Sequence, residues 1–316
     1  MTKLSEDKII KIFQTKLGNK KFVSEDVETF TLGKTKVIAK TDTMVESTDI
    51  PKKMKLSDAA RKSVIACVSD FAAKGVKPEY GIISVNLPKT ISRVKIDNIV
   101  NGFKKASKEY GISIIGGDTN AGKEIVFNVC IFGNSNSIVT RKGSNKDDLI
   151  FVTGPFGYTS IGLNILMNNK EEENNFVKKS IKSVINPKPK LSFGLKNKKY
   201  FSSSMDSSDG LSTTLNEMAK QSGKKFIVNN MPSNKDLEDY VKKKNLNLNS
   251  IIFNGGEEYE FVFTVPIKYR KNIIKNAKLT KTPIIEIGYV TSGKGVFLKN
   301  VNKNIIIKDL GWKHFK

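Results

Sequence analysis

RKGSNKDDLIFVTGPFGYTS, Arg141 to Ser160, is the stretch that divides this chain. Its first eight residues are polar or glycine and read as a linker. DLIFVTGPFG then reads as an apolar strand running into a glycine-rich turn, with a helix from Ser160. Upstream, to about Gly143, strand and helix signals mix. An amphipathic helix within residues 1–20 carries Ile9, Ile10, Ile12 and Phe13 on one side, and strands follow at Phe30–Leu32 and Lys36–Lys40. Ser57 is a candidate N-cap and Gly75 a candidate C-cap for a helix over Asp58–Lys74. YGIISVNLP reads as strand, Val94–Tyr110 as helix, and ISIIGGDTN as a strand ending in a glycine turn. EIVFNVCIFG alternates, with Ile125, Phe127, Val129 and Ile131 on one face of a half-buried strand. Downstream come a strand in SSSMDS, a helix from Leu211, the strand KKFIV, a helix over Asn234–Lys244, and a glycine turn into a buried strand in IIFNGGEEYEFVFTV. The predicted class is α/β (α+β). Residues 1–143 and 144–316 are expected to form two α/β-type domains meeting at one cleft, because one core rarely grows to 316 residues.

Lys and Arg number 54 against 31 Asp and Glu, a net charge of +23. The lysines are spread along the chain and mixed with asparagines, as in KKKNLNLN, and no stretch interleaves them regularly with aromatics. Nucleic acid is therefore not the expected partner; attraction of anionic nucleotides to a cleft is use enough for the charge. No apolar stretch approaches the ~20 residues of a membrane helix, and MTKLSEDKII lacks the apolar core of a signal peptide. Cys67 and Cys130, the only cysteines, read as buried thiols rather than a disulfide. The expected setting is cytoplasmic, with no membrane partner.

Against this basic background nine acids stand out: Asp26, Asp42, Asp49, Asp70, Asp118, Asp206, Asp209, Glu257 and Glu258. Gathered in one cleft, they would repel one another unless a counter-charge were supplied, and hard divalent cations bridging phosphates supply it. Each also has a plainer reading. Asp42 in TDT suits a cation or a turn beside a strand. Asp70 shares a helical stripe with Ser63, Ala66, Cys67 and Ala73, so it needs a cation, a donor or a proton, or in the plainer reading an ion-pair partner. The glycines before Asp118 let backbone approach a phosphate, or make a tight turn. Asp206 and Asp209 precede a helix, where Ser208 or Asp209 could be its N-cap. Glu257 and Glu258 open a buried strand, or sit in a solvated turn. No P-loop and no G-x-G-x-x-G loop is present. The leading reading is a Mg²⁺-dependent, nucleotide-using phosphotransferase.

The ordered set TDTMVES, SDFAAKGVKP, IIGGDTN, TRKGS, FVTGPFGYTSIGL, MDSSDGL, GGEEYEFVFT and GWKHF resembles the thiamine-monophosphate kinase family, from about residue 24 onward. That family is similar in fold to aminoimidazole-ribotide synthetase and HypE. The resemblance implies a two-domain aminoimidazole-ribotide-synthetase-like fold whose N-terminal strands pair across a homodimer. It implies ATP and several Mg²⁺ ions in the cleft, with thiamine monophosphate phosphorylated to thiamine diphosphate by direct in-line transfer. Implied catalytic residues are Asp42, Asp70, Asp118 and Asp209. Implied metal ligands are Asp26, Thr41, Asp42, Asp70, Asp118, Asp206 and Asp209. Tyr110, Gly117, Asp118, Arg141 and Ser208 would meet the nucleotide, and Asp49, Glu257 and Trp312 the thiamine phosphate. His314, the one histidine, receives no role.

Three positions depart from the family pattern. SEDVE (24–28) lacks the family's glycine, Asp49 stands at a usual histidine, and Lys40 stands where a small hydroxyl helps hold a metal. The Lys40 ammonium would replace that ion or repel it. Rival readings are another ATP user of the superfamily, a basic nucleic-acid-binding protein, or a non-catalytic scaffold. Neither cysteine lies where selenophosphate synthetases or HypE-type tails carry theirs.

Overall fold

The computed structural model describes residues 4–19, 22–168, 174–300 and 304–313. One sheet contains β1 (Glu28–Leu32), β2 (Thr35–Val45), β3 (Tyr80–Pro88), β4 (Ser113–Gly122) and β5 (Val126–Asn134) in the order β1-β2-β5-β3-β4. It is antiparallel except for the β3–β4 pair. The second contains β6 (Leu149–Val152), β7 (Ser203–Ser207), β8 (Lys225–Val228), β9 (Glu260–Val265), β10 (Ile285–Thr291), β11 (Gly295–Lys299) and β12 (Asn304–Ile306). Its order is β12-β11-β8-β10-β6-β9-β7. The helices are α1 (Glu6–Lys16), α2 (Glu46–Asp49), α3 (Leu56–Lys74), α4 (Arg93–Tyr110), α5 (Tyr158–Asn168), α6 (Asn175–Ile185), α7 (Leu191–Asn197), α8 (Leu211–Ser222), α9 (Lys235–Lys243), α10 (Leu248–Asn254) and α11 (Arg270–Leu279). This is a mixed α/β architecture with two sheets. Among the described residues no helix is long and apolar enough to cross a membrane.

The element that joins the halves is α3. It packs on β2, β5 and α4 on one side and on β7, β9 and α7 on the other, and 15 of its 19 residues are buried. Such a helix is expected to be apolar all round, yet α3 buries Arg61, Lys62, Asp70 and Lys74. Each of these charges has a partner, which is the condition for burying it. Arg61, for instance, donates two 3.0 Å hydrogen bonds to the Glu109 carboxylate and another to the Pro187 carbonyl. Gly75 ends the helix at φ +63°, as its place after Lys74 predicts.

Four sequence expectations are corrected. Ser57 is no cap: the Lys55 carbonyl accepts from the Asp58 and Ala59 N–H groups, so Ser57 already lies in the first turn. Neither Ser208 nor Asp209 caps α8, which starts from Gly210 at φ +112°. The helix after TGPFG begins at Tyr158 rather than Ser160. GGDT is not a turn but the middle of β4, where Gly117 lies opposite Ile83. A Cβ there would stand 1.8 Å from the Ile83 carbonyl oxygen, so close strand approach explains the glycine. By contrast, the alternation of β5 is as predicted: Ile125, Phe127, Val129 and Ile131 are all buried.

Candidate active site

A cleft of about 1040 Å³ opens where the sheets face each other. Lys40, Asp42, Thr43 and Met44 line it from β2, Asp49 from α2, and Ser63, Ala66 and Asp70 from α3. Asp206, Ser208 and Asp209 reach it from the end of β7, and Gly255, Gly256, Glu257 and Tyr259 from the loop before β9. Lys40 and Asp42 share a face of β2 because side chains alternate along a strand.

At the floor, Asp26, Asp70 and Asp206 each offer an oxygen within 4.8 Å of the others. Their surroundings differ sharply. Asp26 is gripped through both oxygens: Arg141 Nε donates to Oδ1 at 2.7 Å, and Lys74 Nζ lies 2.9 Å from Oδ2. Lys74 also reaches Glu25 at 2.7 Å. Burial pushes the Asp26 carboxyl up, but the Lys74 and Arg141 charges outweigh it and hold the group below its ordinary value. Asp70 has Lys40 Nζ at 2.9 Å, yet burial and the Asp206 charge drive its carboxyl well above the usual range. Burial and the Asp26 charge push Asp206 up to about 7. Burial also raises Asp42, although Lys40 Nζ stands 3.4 Å away. Ionised together, these carboxylates would carry more negative charge than Lys40, Lys74 and Arg141 neutralise. Closely set oxygen donors, with no sulfur or imidazole among them, fit a hard divalent cation such as Mg²⁺.

At the other end, Glu257 lies at φ +62° and Tyr259 at φ +50°, left-handed conformations uncommon for side-chain-bearing residues. The Glu257 N–H donates to the Ser208 carbonyl at 2.6 Å, and its Oε1 meets Lys62 Nζ at 2.6 Å. Gly255 is required beside them, since a Cβ would fall 1.6 Å from Ser160 Oγ. Glu258 turns inward and accepts from the Gly157 N–H at 2.6 Å, and burial pushes its carboxyl up to about 8. This is a packed loop, not a solvated turn. Trp312 also lines the cleft, 60% exposed, with its backbone N–H on the Asp209 carbonyl. Asp49 lines it too, but one of its oxygens accepts from the Val45 N–H at 2.7 Å.

Not every expected residue comes to this cleft. Gly117 and Asp118 stand on β4, an edge strand whose ten residues are all exposed. The row Asp42–Val129–Ile83–Gly117 crosses the sheet, so β4 is three strands from β2, about 14 Å at the usual strand spacing. Thr41 faces away from Asp42 and donates to the Val129 carbonyl. Tyr110 packs against the core around Phe71 and Ile112. His314 lies outside the described residues. Lys62 and Lys74 escaped the sequence reading. The only signal was their place on the same buried helix as Asp70, with Lys74 four residues on.

The model of "AIR synthase related protein, N-terminal domain" matches residues 24–134. A thiamine-monophosphate kinase of Nitrosopumilus maritimus is 65% identical over 316 residues, covering 100% of both chains. The chain belongs to the thiamine-monophosphate kinase family. A second thiamine-monophosphate kinase, from Pyrococcus horikoshii, is 30% identical over 318 residues, covering 100% of this chain and 98% of its own. The solved structure of AaThiL complexed with AMPPCP and TMP matches with a TM-score of 0.87 at 28% identity, covering 99% of this chain and 98% of that one. The fold is therefore that of the AIR synthase superfamily, as the ordered motifs predicted.

Proposed function

We propose that the protein transfers the γ-phosphoryl group of ATP to thiamine monophosphate, giving thiamine diphosphate and ADP. The observation that carries this reading is the Asp70–Asp206 pair, two buried carboxyls short of positive charge at the floor of a cleft that Glu257 and Trp312 also line. The full-length relatives and the AMPPCP- and TMP-bound neighbour support it.

In the transfer, an oxygen of the thiamine phosphate attacks the γ-phosphorus in line, and the bond to the β–γ bridging oxygen breaks as ADP leaves. Positioning and charge neutralisation suffice, with no covalent protein intermediate. Cys67 is no alternative nucleophile: burial and the Asp42 charge push its thiol well up, away from the reactive thiolate. Mg²⁺, when bound, would offset phosphate charge; Asp42, Asp70, Asp206 and Asp209 would hold it, with Asp26 beside them. Arg141 and Ser208 face the nucleotide phosphates. Glu257 and Asp49 meet the thiamine phosphate's donors, and the Trp312 face its cationic ring.

Gly117, Asp118 and Tyr110 would serve the nucleotide from a second copy. A ten-residue edge strand exposed throughout is unusual in a lone subunit and suits pairing across a homodimer. Residues 1–143 and 144–316 are the corresponding domains. Incubation with ATP, Mg²⁺ and thiamine monophosphate is expected to yield thiamine diphosphate. ADP with inorganic phosphate and no diphosphate ester would overturn the reading.

A further inference from the structure

We propose that the Lys40 ammonium is a resident cation of the cleft. It takes the position between Asp42 and Asp70, so the protein binds one divalent ion fewer than the same cleft would without it. The inference deepens the reading of the cleft as a Mg²⁺-dependent phosphoryl-transfer site and rests on it.

The geometry is that of a bridging cation. Lys40 Nζ stands 2.9 Å from Asp70 Oδ2 and 3.4 Å from Asp42 Oδ1. Asp42 comes from the same face of β2 and Asp70 from α3, so the ammonium ties the sheet to the central helix. Its strand is held in register, with Lys40 opposite Ile131 and Asp42 opposite Val129. Lys40 also lines the cleft, so its charge faces whatever enters there.

Magnesium needs its oxygens at about 2.0–2.1 Å and a near-ideal octahedron. An ammonium already bridging these two carboxylates leaves no room for an ion bridging the same pair. A tethered cation stays in place at any Mg²⁺ concentration, whereas an ion must be bound from solution. Asp206 differs: its carboxyl lies in the same cluster as that of Asp70, and among the described residues no ion pair reaches it. Divalent ions are left the Asp206 side of Asp70.

Counting bound Mn²⁺, a divalent probe visible by electron paramagnetic resonance, tests this without turnover. Wild type, Lys40→Thr, Lys40→Met and Lys40→Arg are titrated with AMPPCP and no thiamine phosphate. Lys40→Thr and Lys40→Met are expected to bind one more Mn²⁺ per chain than wild type, and Lys40→Arg the wild-type number. In EDTA the two neutral variants should melt below wild type and recover with Mn²⁺. An unchanged count in both neutral variants, or melting no more metal-sensitive than wild type, overturns the proposal. Whether wild type makes thiamine diphosphate is read separately, so failure of the kinase reading is distinguishable from failure of this one.

Discussion

Asp26 and Asp70 are buried in one cluster, within a single cation's reach of each other, and the protein treats them oppositely. Asp26 has its counter-charge built in: Lys74 and Arg141 hold both oxygens and keep the carboxyl ionised. Asp70 has one ammonium shared with Asp42 and a like charge in Asp206, so its carboxyl resists ionisation. The difference separates structure from function. A carboxylate neutralised by its own protein holds the fold together, while one left short of cations waits for a ligand. Asp26 locks residues 24–26 onto α3 and Arg141, and Asp70 offers the charge that a metal–phosphate complex requires.

The largest expected effect is on turnover. Asp70→Asn keeps the volume but removes the charge, and should lower the rate by about 10²–10³-fold. Its melting temperature in EDTA should not fall, because the repulsion with Asp206 goes as well. Asp26→Asn should do the opposite to the fold. It leaves Lys74 and Arg141 facing a neutral amide, a loss of about 3–5 kcal/mol or roughly 6–20 °C in Tm. Equal Tm losses in the two variants would break the contrast.

Trp312→Ala extends the contrast to a cationic ligand. Loss of an aromatic face against a charged ring is worth about 0.5–2 kcal/mol, so KM for thiamine monophosphate should rise about three- to thirtyfold while KM for ATP holds. Equal rises would point to packing of the segment after β12 instead.

Glu258 gives the smallest and sharpest test, as a third buried carboxyl, here satisfied by a backbone N–H rather than a cation. Its value of about 8 lies above that of the unfolded chain, near 4.5. Its stabilising contribution is therefore fully present below the unfolded value and is lost as pH rises through about 8. Tm should decline between pH 6 and 9, and Glu258→Gln should flatten part of that decline. A slope unchanged by the substitution would show that other groups produce it.

Much of this was legible in the sequence where one side chain's periodicity decided the matter. The alternation Ile125–Phe127–Val129–Ile131 announced β5, and a carboxylate on the small-residue stripe of α3 announced a buried Asp70. Legibility failed where the reason lay in a distant strand. GGDT looked like a turn because glycine usually signals one, yet Gly117 is set by the Ile83 backbone. It failed also for Lys62 and Lys74, since lysines are seldom fully buried and their partners, Glu257 and Asp26, lie far off along the chain. Asp118 was readable as a motif, but the row of strands that keeps it from Asp42 was not.

The opposite treatment of the two carboxylates is tested most directly by calorimetry of Mg²⁺ binding near pH 6.5 in buffers of different ionisation enthalpy. If Asp70 and Asp206 hold protons until a cation arrives, binding should release on the order of one proton per chain, and the observed heat should track the buffer. Asp26→Asn should lessen that release, because the Asp26 charge helps to hold the Asp206 proton. Heats identical in every buffer would mean that the floor is already ionised, and would contradict the account.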